Sequence, residues 1–226
     1  MELLSTLANK LNIKDKAIIA ITGSGGKTSL LTSLSYYYKK KGYKVLVSTT
    51  CKIFKDGDYK TDYVFTNLNQ LINSDIKKGE SVLYYSTTYN NKAGVENLSD
   101  FAILKDYFDI IIYEADGSKR LPLKIHNSTE PVVLDYTSHT ICILSVLAMG
   151  KNTLEVVHRE TENKIVDIAY LQSLLNREDG VYTNCKGSVI TLLNACDTIK
   201  DIEVYNSLTS FYDIMKVSIK NNEVYL

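Results

Sequence analysis

Residues 18–29 read I-I-A-I-T-G-S-G-G-K-T-S, an apolar run passing into a glycine-rich turn that ends in Gly26-Lys27-Thr28. A strand, a tight turn and then a helix form the opening unit of a parallel sheet with crossover helices. Small residues at Gly23, Ser24, Gly25 and Gly26 let the backbone turn so that successive N–H groups, from Ser24 to Lys27, point at an anion. Lys27 then reaches the β- and γ-phosphates of a nucleotide, and the Thr28 hydroxyl is placed to ligate Mg²⁺. From Ser29 onward the helix adds its positive N-terminal end to the same site. The usual spacing G-x-x-x-x-G-K-[ST] asks for glycine at position 21, where this chain has Ile21. The loop therefore reads as a shortened form, G-x-G-G-K-T, starting at Gly23. The alternative is a plain Gly/Ser turn, and on either reading an unliganded Lys27 is expected to face solvent.

Outward from the loop, residues 28–41 carry Leu30, Leu31, Leu34 and Tyr38 on one helical face, with Gly42 as the stop. Strands are expected at 43–49, 62–66, 81–86, 109–114, 141–147, 188–193 and 213–218. Helices are expected at 68–77, from an N-cap at Ser99 to Tyr107, near 161–176 and at 201–212. This alternation implies a mostly parallel sheet with helices on both faces, and the apolar run Ile110 to Ile112 suits a central strand. Residues 115–135 read as a loop holding both prolines, Pro122 and Pro131. No repeat, linker or low-complexity stretch divides residues 1–226, which read as one domain.

Lys+Arg and Asp+Glu number 26 each, so no net field steers the chain toward nucleic acid or an anionic membrane. No apolar run approaches the ~18 residues of a spanning helix. The N-terminus lacks a basic region and cleavage site, and Leu3, Leu4, Leu7 and Leu11 share one helical face, as in a packed helix of a cytoplasmic protein. Cys51, Cys142, Cys185 and Cys196 lack any C-x-x-C pairing and read as isolated buried thiols.

Ligands of open parallel sheets sit at the carboxyl ends of the strands. That rule gathers around Lys27 the stretches Ser48 to Lys52, Glu114 to Ser118, Ala148 to Lys151 and Asn194 to Asp197. Glu114 and Asp116 occupy the place of metal-binding acids: one is expected to hold Mg²⁺ while the other orients water or senses the γ-phosphate. Which acid takes which role stays open, as does the alternative of two solvated acids. Lys119, Arg120, Lys124 and His126, with Lys52, are candidates for a second anion or substrate; a solvated charge run is the alternative. Asn194-Ala195-Cys196-Asp197 resembles the guanine-reading N-K-x-D element without its lysine, so Asn194 and Asp197 are candidate base contacts. A strand-to-helix turn capped by Asp197 is the alternative. His158-Arg159-Glu160 reads as an exposed polar triplet, with a reach into the site as the minority reading.

Taken in order, G-x-G-G-K-T, S-T-T-C-K-I-F, E-A-D-G-S-K-R-L-P-L-K, V-H-R-E and L-L-N-A-C-D resemble the YqeC-like family of selenium-dependent hydroxylase accessory proteins. The resemblance runs from about Ile18 to Asp197. It departs from the family pattern at Cys51, Lys119, Leu121, Ile125, His126, Glu160 and Ala195. It implies a P-loop NTPase fold, SIMIBI-like with three α/β/α layers, similar to the metallochaperone GTPases. It also implies a nucleoside triphosphate, GTP or ATP, with Mg²⁺, and a molybdenum hydroxylase as client. The expected function is nucleotide binding with slow hydrolysis. One rival is an ATP-dependent ligase or kinase acting on a small anion, since I-T-G-S-G-G-K-T is similar to the Mur-ligase loop. The other rival is a nucleotide-gated adaptor that does not hydrolyse.

Overall fold

The computed structural model describes residues 1–55, 57–199, 205, 206, 208 and 212–225. After helix α1 (Leu3–Leu11), the chain runs β1 (Ala17–Gly23), α2 (Lys27–Lys40), β2 (Val45–Thr49), β3 (Ile53–Phe54), β4 (Tyr63–Phe65) and α3 (Leu68–Ile72). It continues through β5 (Ser81–Tyr84), β6 (Thr87–Tyr89), β7 (Lys92–Gly94), α4 (Asp100–Leu104), β8 (Ile110–Glu114) and β9 (Leu123–Lys124). Then come β10 (His139–Ser145), α5 (Thr153–Val156), β11 (Val157–His158), α6 (Ile168–Asn176), β12 (Ser188–Asn194), β13 (Ile214–Ser218) and β14 (Glu223–Tyr225).

Nine strands form one sheet in the order β14-β13-β12-β10-β1-β8-β2-β5-β4, parallel except for the β13–β14 pair. Period-two alternation sends each strand's side chains to both faces. Ile19, Ile21, Val45, Val47, Ile110 and Ile112 pack with Leu7 of α1 and Leu30, Leu31 and Leu34 of α2. On the opposite face Leu46, Ile111 and Tyr113 pack with Phe101 and Leu104 of α4, while Leu144 and Leu193 pack with Leu171 and Leu174 of α6. The central strands are buried on both sides, which explains why they read as unbroken apolar runs.

Several expectations are corrected. Residues 161–167 precede the helix, because Asp167 is its N-cap and accepts from the Tyr170 N–H at 2.7 Å. Helix α3 stops at Ile72, where Asn73 and Ser74 turn their side chains back on the Asn69 and Leu71 carbonyls. Ser99 caps nothing with its hydroxyl, which bonds Asn97 instead. The segment 115–135 contains β9, which pairs with β11. Cys142 and Cys185 are not isolated, since their sulfurs approach to 3.4 Å. The expected helix at 201–212 lies for the most part outside the described residues. Among the described residues no helix is long and apolar enough to cross a membrane.

Candidate functional site at the carboxyl edge of the sheet

Strands β1 and β8 are direct neighbours, with Ile21 opposite Glu114, so the glycine loop and the acidic pair leave the sheet side by side. The loop lies hard against β10 and β12. Gly23 has φ +87, and a Cβ there would meet the Ile143 carbonyl oxygen at 2.2 Å; Gly26 has φ +143, and its Cβ would meet the Asn194 amide at 2.6 Å. Only glycine satisfies the backbone and the close approach together. Asn194 fixes the loop from β12: its amide donates to the Gly25 carbonyl at 2.7 Å while its oxygen accepts from the Ile219 N–H at 2.9 Å.

Gly25, Gly26, Lys27, Thr28 and Ser29 line a cleft of about 350 Å³ together with Lys52, Glu114, Asp116, Lys119 and Arg120. That volume lies within the usual range for small-ligand sites, roughly 300–1,000 Å³. Gly23 and Ser24 lie outside this lining. The Ser24 N–H donates to the Ile143 carbonyl at 2.9 Å and its hydroxyl to the Leu121 carbonyl, so this expected phosphate contact is turned into the protein.

Lys27 does not face solvent. Its side chain is 5% exposed, and the ammonium donates to the Gly23 carbonyl at 2.7 Å and lies 3.2 Å from Asp116 Oδ1. Burial opposes its charge, but the carboxylates of Asp116 and Glu114 outweigh burial and hold its pKa above the ordinary lysine value.

The two acids occupy different environments. Asp116 is fully buried, and its Oδ2 accepts from the Gly23 N–H at 2.9 Å. The same oxygen lies 2.7 Å from His126 Nε2 and 3.1 Å from Lys124 Nζ. Burial pushes this carboxyl up, but Lys27, His126 and Lys124 together hold it well below the usual range. Glu114 instead accepts from the Thr28 hydroxyl at 2.6 Å. Burial prevails over Lys27 there, and its pKa is raised. Asp116 is thus a charge enclosed by two ammonium groups and an imidazole, and Glu114 is a carboxylate with its charge incompletely compensated.

The basic loop divides. Lys124 is enclosed by Asp116, by Glu130 at 3.2 Å and by the Gly117 carbonyl at 2.6 Å, so it offers no free charge to a second anion. Lys119 and Arg120 border the cleft, and the Arg120 guanidinium stacks 4.1 Å above the Phe54 ring. Residues 148–151 lie outside the lining of this cleft and of the second one described below. Asp197 is exposed on a single turn after β12, also outside the lining, and among the described residues its side chain caps no helix. His158 and Arg159 are only half exposed and line the second cleft, not this one, against the expectation of a solvated triplet.

Lys92, Phe54 and Tyr59 also line the cleft without having been singled out from the sequence. They sit on or beside a three-stranded sheet, β3-β7-β6, above the loop. The signal in T-T-Y-N-N-K-A-G is its turn, Asn90-Asn91, with Asn90 at φ +53.

Fold and site together define an α/β protein whose glycine loop and buried acids share one cleft at the carboxyl edge of a parallel sheet. The sequence model of the YqeC protein family matches residues 19–161, more than half of the chain, and the chain belongs to that family. The Escherichia coli (strain K12) protein YqeC, described as uncharacterized, is 26% identical over 189 residues, covering 76% of this chain and 72% of its own. No solved structure matches significantly. The matched stretch includes the glycine loop, both acids, His158 and Arg159; Asn194 and Asp197 lie beyond it.

Proposed function

We propose that this chain is a P-loop nucleotide-binding protein, in one domain, that takes Mg²⁺ with GTP or ATP and hydrolyses it slowly. We further propose that it does so as a maturation factor for a selenium-dependent molybdenum hydroxylase. The observation that carries the nucleotide reading is the Thr28 hydroxyl 2.6 Å from Glu114, in a cleft that also holds Gly25, Gly26 and Lys27. Hard oxygens from one hydroxyl and one carboxylate suit Mg²⁺, which draws its remaining ligands from phosphate and water. Glu114's raised pKa marks a charge that a divalent cation would relieve. Among the described residues no three His, Cys, Asp or Glu converge on one point, so most of the coordination would have to come from the ligand.

In this reading the backbone from Gly25 onward and Lys27 hold the phosphates, while Thr28 and Glu114 hold the metal. When bound, Mg²⁺ neutralises charge developing on the phosphate oxygens. Asp116 positions: it joins the start of the loop at Gly23 to Lys27, Lys124 and His126. The client assignment comes from the family resemblance and has no other support. Titration calorimetry with MgATP and MgGTP tests the nucleotide reading, with binding expected in the wild-type protein and none in Lys27→Ala. Unchanged affinity in that variant overturns it. Phosphate release, with and without a client hydroxylase, then separates hydrolysis from gated binding.

A further inference from the structure

A second cleft, about 440 Å³, adjoins the first across Lys52, Lys92, Gly117 and Lys119, which line both. Its far wall carries Arg159 and His158 from the end of β11, and its sides carry Tyr89, Val95 and Val132. Four cations, Lys52, Lys92, Lys119 and Arg159, line it against one carboxylate, Glu130. Glu130 is already engaged, by Arg159 at 2.9 Å and Lys124 at 3.2 Å. Among the described residues Lys52, Lys92 and Lys119 form no ion pair at all.

These cations are held in place. Lys52 lies 3.8 Å above the Tyr89 ring and Lys92 5.3 Å from the Phe54 ring. Lys119 and Arg159 both have left-handed backbone, at φ +50 and +69, a conformation that costs a non-glycine residue free energy. Convergent charge of one sign in a concave, partly apolar cleft concentrates its field on an anion. Burial first, then Arg159, Lys124 and Lys119, push the His158 pKa below the ordinary value. Cys51 also lines the cleft, and burial and Glu114 push its thiol up to about 12.

We propose that this second cleft binds a small anionic molecule carrying a phosphoryl or carboxylate group, held by Arg159, Lys92, Lys52 and Lys119 beside the glycine-loop cleft. Its role as a co-substrate or effector of bound nucleotide rests on the function proposed above; the binding itself does not. Occupancy would favour the ligase or kinase rival over simple hydrolysis.

The test is calorimetric titration of two probes, inorganic phosphate and citrate, without nucleotide. The proteins are wild type, Lys27→Ala, Arg159→Gln and Thr129→Trp. Thr129 is exposed at the rim of the cleft, so the indole blocks the space without entering the core. At least one probe is expected to bind wild type and Lys27→Ala within a few-fold of each other; which one binds distinguishes phosphoryl from carboxylate. Arg159→Gln should weaken that binding about tenfold, the scale of one charge-assisted contact, and Thr129→Trp should abolish it. Both second-cleft variants should bind MgATP or MgGTP as wild type does. Probes that bind while nucleotide fails leave this site standing and remove the nucleotide reading. Failure of both probes on wild type overturns the proposal. So does loss in Lys27→Ala with retention in Arg159→Gln and Thr129→Trp, because the anion would then sit in the glycine loop.

Discussion

Two carboxylates two residues apart, Glu114 and Asp116, do different physical work because their surroundings differ. Asp116 sits among the Lys27 and Lys124 ammonium groups, the His126 imidazole and a backbone N–H, so taking away its charge leaves buried ammonium groups facing one another. Asp116→Asn is therefore expected to cost about 3 kcal/mol or more of stability, read as a lower urea midpoint. Glu114→Gln keeps an acceptor for the Thr28 hydroxyl and removes a charge that burial already disfavours. Its urea midpoint should match or exceed that of wild type, while the Mg²⁺ dependence of nucleotide binding is lost. If Asp116→Asn folds like wild type and loses the Mg²⁺ dependence instead, the two roles are exchanged. Lys27→Ala should show both effects. Losing its phosphate contact removes nucleotide binding by several kcal/mol, and losing its pairing with Asp116 lowers the urea midpoint, an outcome that a solvent-facing lysine would not give.

Between elements, the contacts of greatest consequence join segments far apart in sequence. Asp62, just before β4, accepts from the Ser81 N–H at 2.7 Å and the Ser81 hydroxyl at 3.1 Å, and pairs with Lys39 near the end of α2. Partial burial opposes its charge, yet Lys39 and Ser81 prevail and its pKa falls below 3.8. A depressed carboxyl stabilises the fold above its unfolded pKa, and that contribution disappears as pH falls through the folded value. Asp62→Asn should therefore cost about 1–2 kcal/mol at neutral pH, with the difference from wild type shrinking below about pH 4. Urea midpoints at pH 7 and pH 3 check this, and a constant difference would remove the charge from the account. The limits of sequence reading lie at the same scale. Strands β1 and β8 were legible because each is a local apolar run, and the glycine loop because its chemistry is contiguous. The enclosure of Asp116 was not, since Lys124 and His126 return to it through tertiary contacts, the pairing of β9 with β11 and the bond of His126 to the Gly180 carbonyl. The β3-β7-β6 sheet is built from strands of two or three residues, too short for periodicity to show. Helix α6 begins seven residues later than the apolar pattern suggests, at the capping signal that Asp167 carries.

For the molecule as a whole, ligand binding and folding are linked, so base selectivity can be read from global stability. A ligand at a hundred times its Kd stabilises the native state by about 2.7 kcal/mol. In a chain of this length each kcal/mol raises Tm by roughly 2–4 °C. Saturation with a magnesium nucleotide should thus raise Tm by about 5–10 °C, and Glu114→Gln should lose most of that shift. Which base gives the larger shift depends on the edge of the sheet at β12. Asn194 is occupied with Gly25 and Ile219, holding the loop rather than presenting its amide to a base. Asp197 is exposed, and Ala195 at φ +68 leaves no lysine stem to cover a guanine ring. A hydrogen bond made in open water discriminates far less than one in a closed pocket, where the wrong partner leaves a buried group unpaired. Dissociation constants for GDP and ADP are therefore expected to agree within about tenfold, with any preference on the guanine side. Ala195→Lys should widen that preference by restoring the stem. A hundredfold preference for ADP would remove Asp197 from base recognition altogether, and an Ala195→Lys variant with unchanged GDP affinity would show that the base lies away from β12.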